Sequence, residues 1–162
     1  MTLSVTILKK SWEDLVSDFG KRVFVPTSEG DIQCYLYHLC VMNGLEVKKL
    51  HAEEVLHGRD KTTFTDLVLG TRPDTKLYVE IKWTKTREEP LISKRRLERI
   101  WKDIEKSKTK KSKRRRYMLI LLYKEKGGAP LLKSDLSKSQ KSELRMTKKE
   151  MKAKGVKVIF SV

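Results

Sequence analysis

Residues 117–123, Tyr-Met-Leu-Ile-Leu-Leu-Tyr, form an unbroken apolar run between charged segments, and this run constrains the fold more than any other feature of the sequence. A strand without alternation of apolar and polar side chains needs cover on both faces, which is typical of parallel strands in α/β proteins. The run is far shorter than the roughly 20 residues that a membrane span requires. We therefore predict a central strand in an α/β domain, and we expect no transmembrane segment.

Helical and strand-like patterns alternate on both sides of this run. Apolar spacing and capping residues predict helices over residues 11–19, from Thr27 or Ser28 to Gly44, over 92–106 and over 139–154. Residues that favour β structure predict strands over 23–25, 64–69, 77–83 and 156–162, with short extended pieces over 45–50 and 55–57. The order predicts one α/β domain over residues 1–162 with a mixed sheet: an N-terminal extension (1–26), a core (27–123) and a C-terminal basic helix and strand (124–162).

Positive charge is concentrated in two stretches of the chain. The protein has 37 Lys and Arg residues against 21 Asp and Glu, a net charge of +16. Residues 94–116 contain 13 basic and 3 acidic residues, and residues 133–157 contain 9 basic and 3 acidic residues, which together account for all of that excess. Segregated positive charge suits a polyanion, so we predict a nucleic-acid partner whose binding weakens steeply as salt rises.

The remaining composition narrows the class of protein. Cys34 and Cys40 form no disulfide framework and match no zinc spacing, so we expect both thiols to be reduced and packed. The first residues show no secretory leader, and neither basic stretch has an apolar face with aromatic anchors for a membrane. We expect a cytoplasmic protein with no membrane partner, associated with the nucleoid if its source is prokaryotic.

The two strands predicted over residues 64–69 and 77–83 form the most informative pair. If their turn is centred on Pro73, opposed residues have numbers that sum to 146, so Asp66 faces Glu80. Lys82 points to the same side because strand side chains alternate. Opposed carboxylates destabilise a sheet unless a cation lies between them, and two carboxylates suit a hard ion such as Mg²⁺. This pattern predicts a divalent cation site.

Thr65-Asp66 followed by Glu80-Ile81-Lys82 on a hairpin resembles the PD-(D/E)xK nuclease superfamily, with Thr65 in place of the proline. The resemblance covers residues 28–123 and implies a restriction-endonuclease-like core of mixed sheet and helices, in the order αβββαβ. It implies that Asp66, Glu80 and the carbonyl of Ile81 hold Mg²⁺ or Mn²⁺. It also implies that Lys82 orients the attacking water and stabilises charge on the phosphate.

The same resemblance implies a carboxylate on the first helix of the core. Glu29 is our choice because it is a carboxylate near the helix start. Gln33 stands where the small archaeal Holliday-junction resolvases would have their glutamate, judged from the glycine that ends the helix. Asp31 is the third candidate. If Gln33 occupies the position, the third acid is missing and Glu29 is a favourable charge in the first helical turn.

The function implied is a metal-dependent endonuclease that hydrolyses DNA phosphodiester bonds, acting on duplex or branched DNA in recombination or repair, as a homodimer. The alternatives are a restriction-type endonuclease and a non-catalytic nucleic-acid-binding module of the same fold; charge alone also allows an RNA-binding protein. The predicted phosphate contacts are Lys85, Lys94, Arg95, Arg96, Arg99, Lys110, Lys111, Lys113, Arg114 and Arg115. We expect Trp83 to close a strand end, with base stacking as its alternative role.

Overall fold

The computed structural model of the protein describes residues 3–57, 62–71, 76–86, 91–106, 115–124 and 131–162. Its helices are α1 (Leu3–Gly20), α2 (Glu29–Met42), α3 (Lys94–Lys106) and α4 (Lys138–Ala153). Its strands are β1 (Leu50–His57), β2 (Thr62–Leu69), β3 (Leu77–Thr86), β4 (Arg115–Lys124) and β5 (Val156–Phe160). Short 3₁₀ turns occupy Val47–Lys49 and Lys133–Asp135. The predicted α/β class is confirmed.

The five strands form one mixed sheet in the order β1-β2-β3-β4-β5. The pairs β1–β2 and β2–β3 are antiparallel, whereas β3–β4 and β4–β5 are parallel. Between β2 and β3, Leu67 pairs with Val79 and Leu69 pairs with Leu77, which is the register predicted from a turn centred on Pro73. Side chains at 66, 68, 78, 80 and 82 therefore share one face of the sheet, as expected.

Helices cover both faces of the sheet, so the core has two halves. Helices α1 and α2 bury Leu8, Leu15 and Leu36 against one face, together with Leu119 of β4. On the other face, residues of α3 and α4 cluster with Ile120 of β4. Alternate side chains of β4 thus enter opposite halves of the core, and all are buried from residue 117 to 122. This placement explains the unbroken apolar run. In the described part of the chain, no helix is both long enough and apolar enough to cross a membrane.

Helix α2 begins and ends at the residues that the sequence indicated. The Ser28 hydroxyl accepts a hydrogen bond from the Asp31 N–H, and the Asp31 carboxylate accepts one from the Ser28 N–H, forming a capping box. Hydrogen bonds from Thr27 and Ser28 lower the pKa of Asp31. Gly44 follows the helix with a φ of 95°, a left-handed conformation that glycine adopts without strain.

The strand predicted over 77–83 continues to Thr86, so Trp83 lies within β3 and does not close its end. Three other predicted elements were also wrong. Helix α1 begins at Leu3, eight residues before the predicted start, because Val5, Ile7 and Leu8 are buried and continue its apolar face. Residues 23–25 form no strand: the N–H of Val23 closes a turn on the Asp18 carbonyl, and Val23 is 69% exposed. A 3₁₀ turn replaces the extended piece over 45–50, and the first strand runs continuously from Leu50 to His57.

Candidate active site

Asp66 lies on β2 just beyond the residues that pair with β3. Its Oδ2 atom accepts a hydrogen bond from the Ile81 N–H at 2.5 Å. Its backbone carbonyl accepts a hydrogen bond from Gln33 Nε2 of α2 at 2.7 Å. The preceding residue, Thr65, is buried and donates its hydroxyl to the Val79 carbonyl at 3.2 Å. Side-chain hydrogen bonds therefore hold this end of β2, and they fix the Asp66 carboxylate against β3.

The backbone of Ile81 lies beside the Asp66 carboxylate, while the Ile81 side chain is 1% exposed and packs in the core. The N–H of Ile81 points toward β2, since it donates to the Asp66 carboxylate. Within a strand, the N–H and C=O of one residue point to the same side. The Ile81 carbonyl therefore also turns toward β2, which is the orientation a metal-ligating carbonyl beside Asp66 needs.

Lys82 is surrounded by acids. Its Nζ lies 2.7 Å from Glu80 Oε1 and 3.9 Å from Glu29 Oε2, and its side chain is only 12% exposed. Burial lowers the pKa of Lys82, but the attraction of Glu80, Glu29 and Asp66 outweighs burial and raises the pKa overall. Lys82 is consequently a cation at neutral pH, and all three carboxylates lie close enough to act on it.

Glu29 stands in the first turn of α2, where the helix dipole favours a negative charge. Its Oε1 accepts hydrogen bonds from the Trp83 N–H at 3.0 Å and from Arg96 Nη2 at 2.8 Å. The same Arg96 nitrogen also donates to the Trp83 carbonyl at 3.0 Å. Glu29 thus joins α2, β3 and α3, and its charge is shared between Arg96 and Lys82.

We call Glu29, Asp66, Glu80, Lys82 and Arg96 the charged cluster. Its three acids and two bases give a net charge of −1 in a protein whose total is +16. The donor set suits Mg²⁺, which is commonly held by one or two carboxylates with water and substrate phosphate in the remaining positions. Among the described residues, no group of three or more His, Cys, Asp or Glu side chains forms a metal-binding cluster. Asp66 and Glu80 supply two carboxylates and Ile81 a backbone carbonyl, which are oxygen donors of the kind that Mg²⁺ takes.

A basic groove adjoins the charged cluster at the carboxyl ends of β3 and β4. Its lining consists of Trp83, Thr84, Lys85, Ser93, Arg95, Arg96, Arg99 and Tyr123. The side chains of Lys85, Arg95 and Arg99 are exposed, as is that of Lys94 at the start of α3. Of the residues predicted to contact phosphate, four line this groove: Lys85, Arg95, Arg96 and Arg99. Arg96 also belongs to the charged cluster.

The structure brings together Glu29, Asp66, Glu80 and Lys82, the four residues predicted to be catalytic. Of the candidates for the first-helix acid, Asp31 serves the helix cap instead. Glu29 contacts Lys82 and Gln33 binds the Asp66 backbone, so both lie at the cluster in different roles. Lys110, Lys111, Lys113 and Arg114 lie outside the described residues, and Arg115 begins β4.

Sequence reasoning missed two contacts. It named Gln33 only as a substitute for an acid, whereas the side chain holds the Asp66 backbone. It assigned Arg96 to phosphate contact alone, although Arg96 also pairs with Glu29. The partners are 33 and 67 residues apart in the sequence, so no local spacing could have indicated either contact.

Cys34 corrects one further expectation. Its side chain is exposed, whereas Cys40 is buried as predicted. Cys34 and Cys40 are six residues apart on α2, which places them on different sides of the helix. Only Cys40 faces the core.

Comparisons with known proteins add no relative: no family model matches the chain, and no curated protein or solved structure matches it.

Proposed function

We propose that the protein is a metal-dependent endonuclease that hydrolyses DNA phosphodiester bonds, of the junction or repair type. One observation carries the proposal. Asp66 and Glu80 lie on neighbouring strands around the cationic Lys82, and the Asp66 carboxylate is bonded to the backbone of Ile81. Two carboxylates, a carbonyl and a lysine at the end of one strand pair are the groups that metal-assisted phosphodiester hydrolysis needs.

The architecture supports a restriction-endonuclease-like core. From α2 to β4 the elements follow the order helix, three strands, helix, strand. The antiparallel part of the sheet contains the two acids, and the helix that follows it contains Arg95, Arg96 and Arg99. This order and the position of the acids support a member of the PD-(D/E)xK superfamily, with α1 and the α4–β5 unit added at either end.

In the proposed reaction, a water oxygen attacks phosphorus, one P–O ester bond breaks, and the products are a phosphate monoester and a free hydroxyl. When bound, Mg²⁺ or Mn²⁺ supplies a water of lowered pKa and neutralises charge on the phosphate. Asp66, Glu80 and the Ile81 carbonyl would hold the ion. Lys82, protonated at neutral pH, attracts the negative charge that develops on the phosphate, and it does not act as the base.

The charged cluster also suggests how DNA is placed. Arg95 and Arg99 are exposed beside the cluster, so they bind phosphates that flank the reacting one. Arg96 pairs with Glu29 and lines the groove, so it lies between the acids and the bound strand. The backbone is thereby held with one phosphate next to Lys82.

The test is a cleavage assay on labelled linear, single-stranded, flapped and four-way DNA, with Mg²⁺, Mn²⁺ or EDTA. Wild-type protein should cleave at least one substrate only when the metal is present. Glu80→Gln should lose cleavage but keep DNA binding, because the substitution removes a ligand charge and no basic residue. Glu13→Gln changes an exposed acid of α1 and should cleave like wild type.

A second candidate function is a non-catalytic DNA-binding module of the same fold. The observation that favours it is the pairing of Glu29 with Arg96 at 2.8 Å, which neutralises one of the three acids. Such a module would bind DNA equally well in Mg²⁺ and in EDTA and would cleave no substrate in the panel. That result would overturn the nuclease proposal.

A further inference from the structure

The basic groove has an aromatic wall that phosphate binding alone does not require. The rings of Trp83 and Tyr123 lie with their centroids 4.7 Å apart and their planes tilted by 36°. Both side chains are half-buried, packed against the core and lining the groove. Arg95 and Arg99 of α3 line the same groove. Aromatic rings beside arginines are the combination that binds single-stranded nucleic acid, by stacking bases and pairing with phosphates.

The groove is continuous with the charged cluster. Trp83 follows Lys82 directly, and its backbone N–H and C=O bind Glu29 and Arg96. A nucleotide on the aromatic wall would therefore lie next to the phosphate at the acids. This position makes the groove a neighbour of the reacting bond and not a remote docking surface.

We propose that the groove binds an unpaired nucleotide beside the scissile phosphate, and hence that the substrate is duplex DNA with a single-stranded segment. That the bound DNA is also cleaved rests on the proposed function, but binding of an unpaired nucleotide in the groove does not. Bases inside a duplex are already stacked and cannot reach a protein ring, whereas an unpaired base can. The arginines bind any backbone phosphate, so the preference for an unpaired nucleotide comes from Trp83 and Tyr123.

The experiment measures binding in EDTA, where no cleavage can occur. Fluorescence anisotropy compares a blunt duplex with the same duplex bearing a thymine overhang. One stacked base predicts that the overhang duplex binds wild type roughly fivefold to a hundredfold more tightly. Trp83→Leu and Tyr123→Leu should each reduce this ratio toward one, whereas Phe24→Leu, which alters an aromatic stack with Tyr35, should leave it unchanged.

Charge is tested with a matched pair of variants. Arg99→Gln should weaken binding to both duplexes by similar factors and leave their ratio intact. Lys21→Gln removes one exposed positive charge outside both basic stretches, so it should leave affinity and ratio nearly unchanged. Equal loss in the two variants would mean that total charge, and not the groove, controls binding.

Tryptophan emission gives a second readout. Stacking of a base on Trp83 should quench part of the emission when the overhang duplex binds, and Trp83→Phe should abolish that quenching. Equal affinity of wild type for both duplexes, or quenching that persists in Trp83→Phe, would overturn the inference. If Trp83→Leu does not fold, Tyr123→Leu and the quenching of Trp83→Phe decide the matter.

The two proposals fail in different ways. Preferential binding of the overhang with no cleavage of any substrate would support the groove and overturn the nuclease. Metal-dependent cleavage without preference for the overhang would support the nuclease and overturn the groove.

Discussion

Replacing Lys82 by methionine should make the metal-free protein less stable and more responsive to Mg²⁺. Methionine keeps the length of a side chain that is only 12% exposed, but it removes the ammonium that lies 2.7 Å from Glu80. Glu80, Glu29 and Asp66 then repel one another without the ammonium that attracts all three, while Arg96 still pairs with Glu29. A divalent cation bound by Asp66 and Glu80 restores the lost attraction.

Burial sets the size of the effect. Removing one partner of a fully buried ion pair costs about 3–5 kcal/mol. Glu80 is 27% exposed, so water screens part of the repulsion and a loss of about 2–3 kcal/mol is the better expectation. For a chain of this size, such a loss lowers the melting temperature by roughly 4–12 °C.

The pH dependence of this contribution follows from the raised pKa of Lys82. A lysine whose pKa is raised by folding stabilises the protein fully below its unfolded value of about 10.4, and the contribution disappears as pH rises through the folded value. The difference in unfolding free energy between wild type and Lys82→Met should therefore be the same at pH 7 and at pH 9. Acidification should shrink the difference, because the carboxylates lose their charge.

Calorimetry or circular dichroism on wild type and Lys82→Met, in EDTA and in Mg²⁺, measures both effects. The expected result is a large deficit in EDTA and a smaller one in Mg²⁺. Lys102→Met removes an exposed lysine of α3 and should show neither effect. If Mg²⁺ raises the melting temperature of neither protein, the acids do not form a cation site; if it raises both equally, Lys82 does not take the place of the cation's charge.

Two further predictions concern packing. Glu143 of α4 accepts hydrogen bonds from two backbone N–H groups just before α3, at 2.9 Å and 3.1 Å. Glu143→Gln should cost about 1–2 kcal/mol in urea unfolding, since one charge-assisted acceptor is lost. The exposed Glu150→Gln on the same helix should cost almost nothing. Burial raises the pKa of Cys40 to about 11, so a thiol reagent should label the exposed Cys34 rapidly and Cys40 only after unfolding.

The parts of the fold that the sequence predicted well are those where local pattern and burial agree. The run 117–123 has apolar residues on both strand faces, and both faces are covered by helices. The hairpin register followed from one turn centre and placed Asp66, Glu80 and Lys82 on one face. In both places, the alternation of side chains along a strand determines which face of the sheet each residue occupies.

The predictions that failed depended on tertiary contacts. Val23 and Val25 favour β structure, but no neighbouring strand pairs with them in the described chain, and both are exposed. The contact between Glu29 and Arg96 joins α2 to α3, and nothing in either local sequence indicates it. The hydrogen bond from Gln33 to the Asp66 backbone likewise depends on the packing of α2 beside β2, which neither local sequence indicates.

The distribution of charge links metal binding to DNA binding. The groove beside the acids is lined by exposed arginines, which attract a phosphate backbone. The charged cluster carries a net charge of −1, which repels that backbone at the point where the chemistry is proposed. A divalent cation changes the sign of the cluster to +1. DNA held in the groove and a cation held at the acids should therefore increase each other's affinity, since each removes the repulsion that the other would meet.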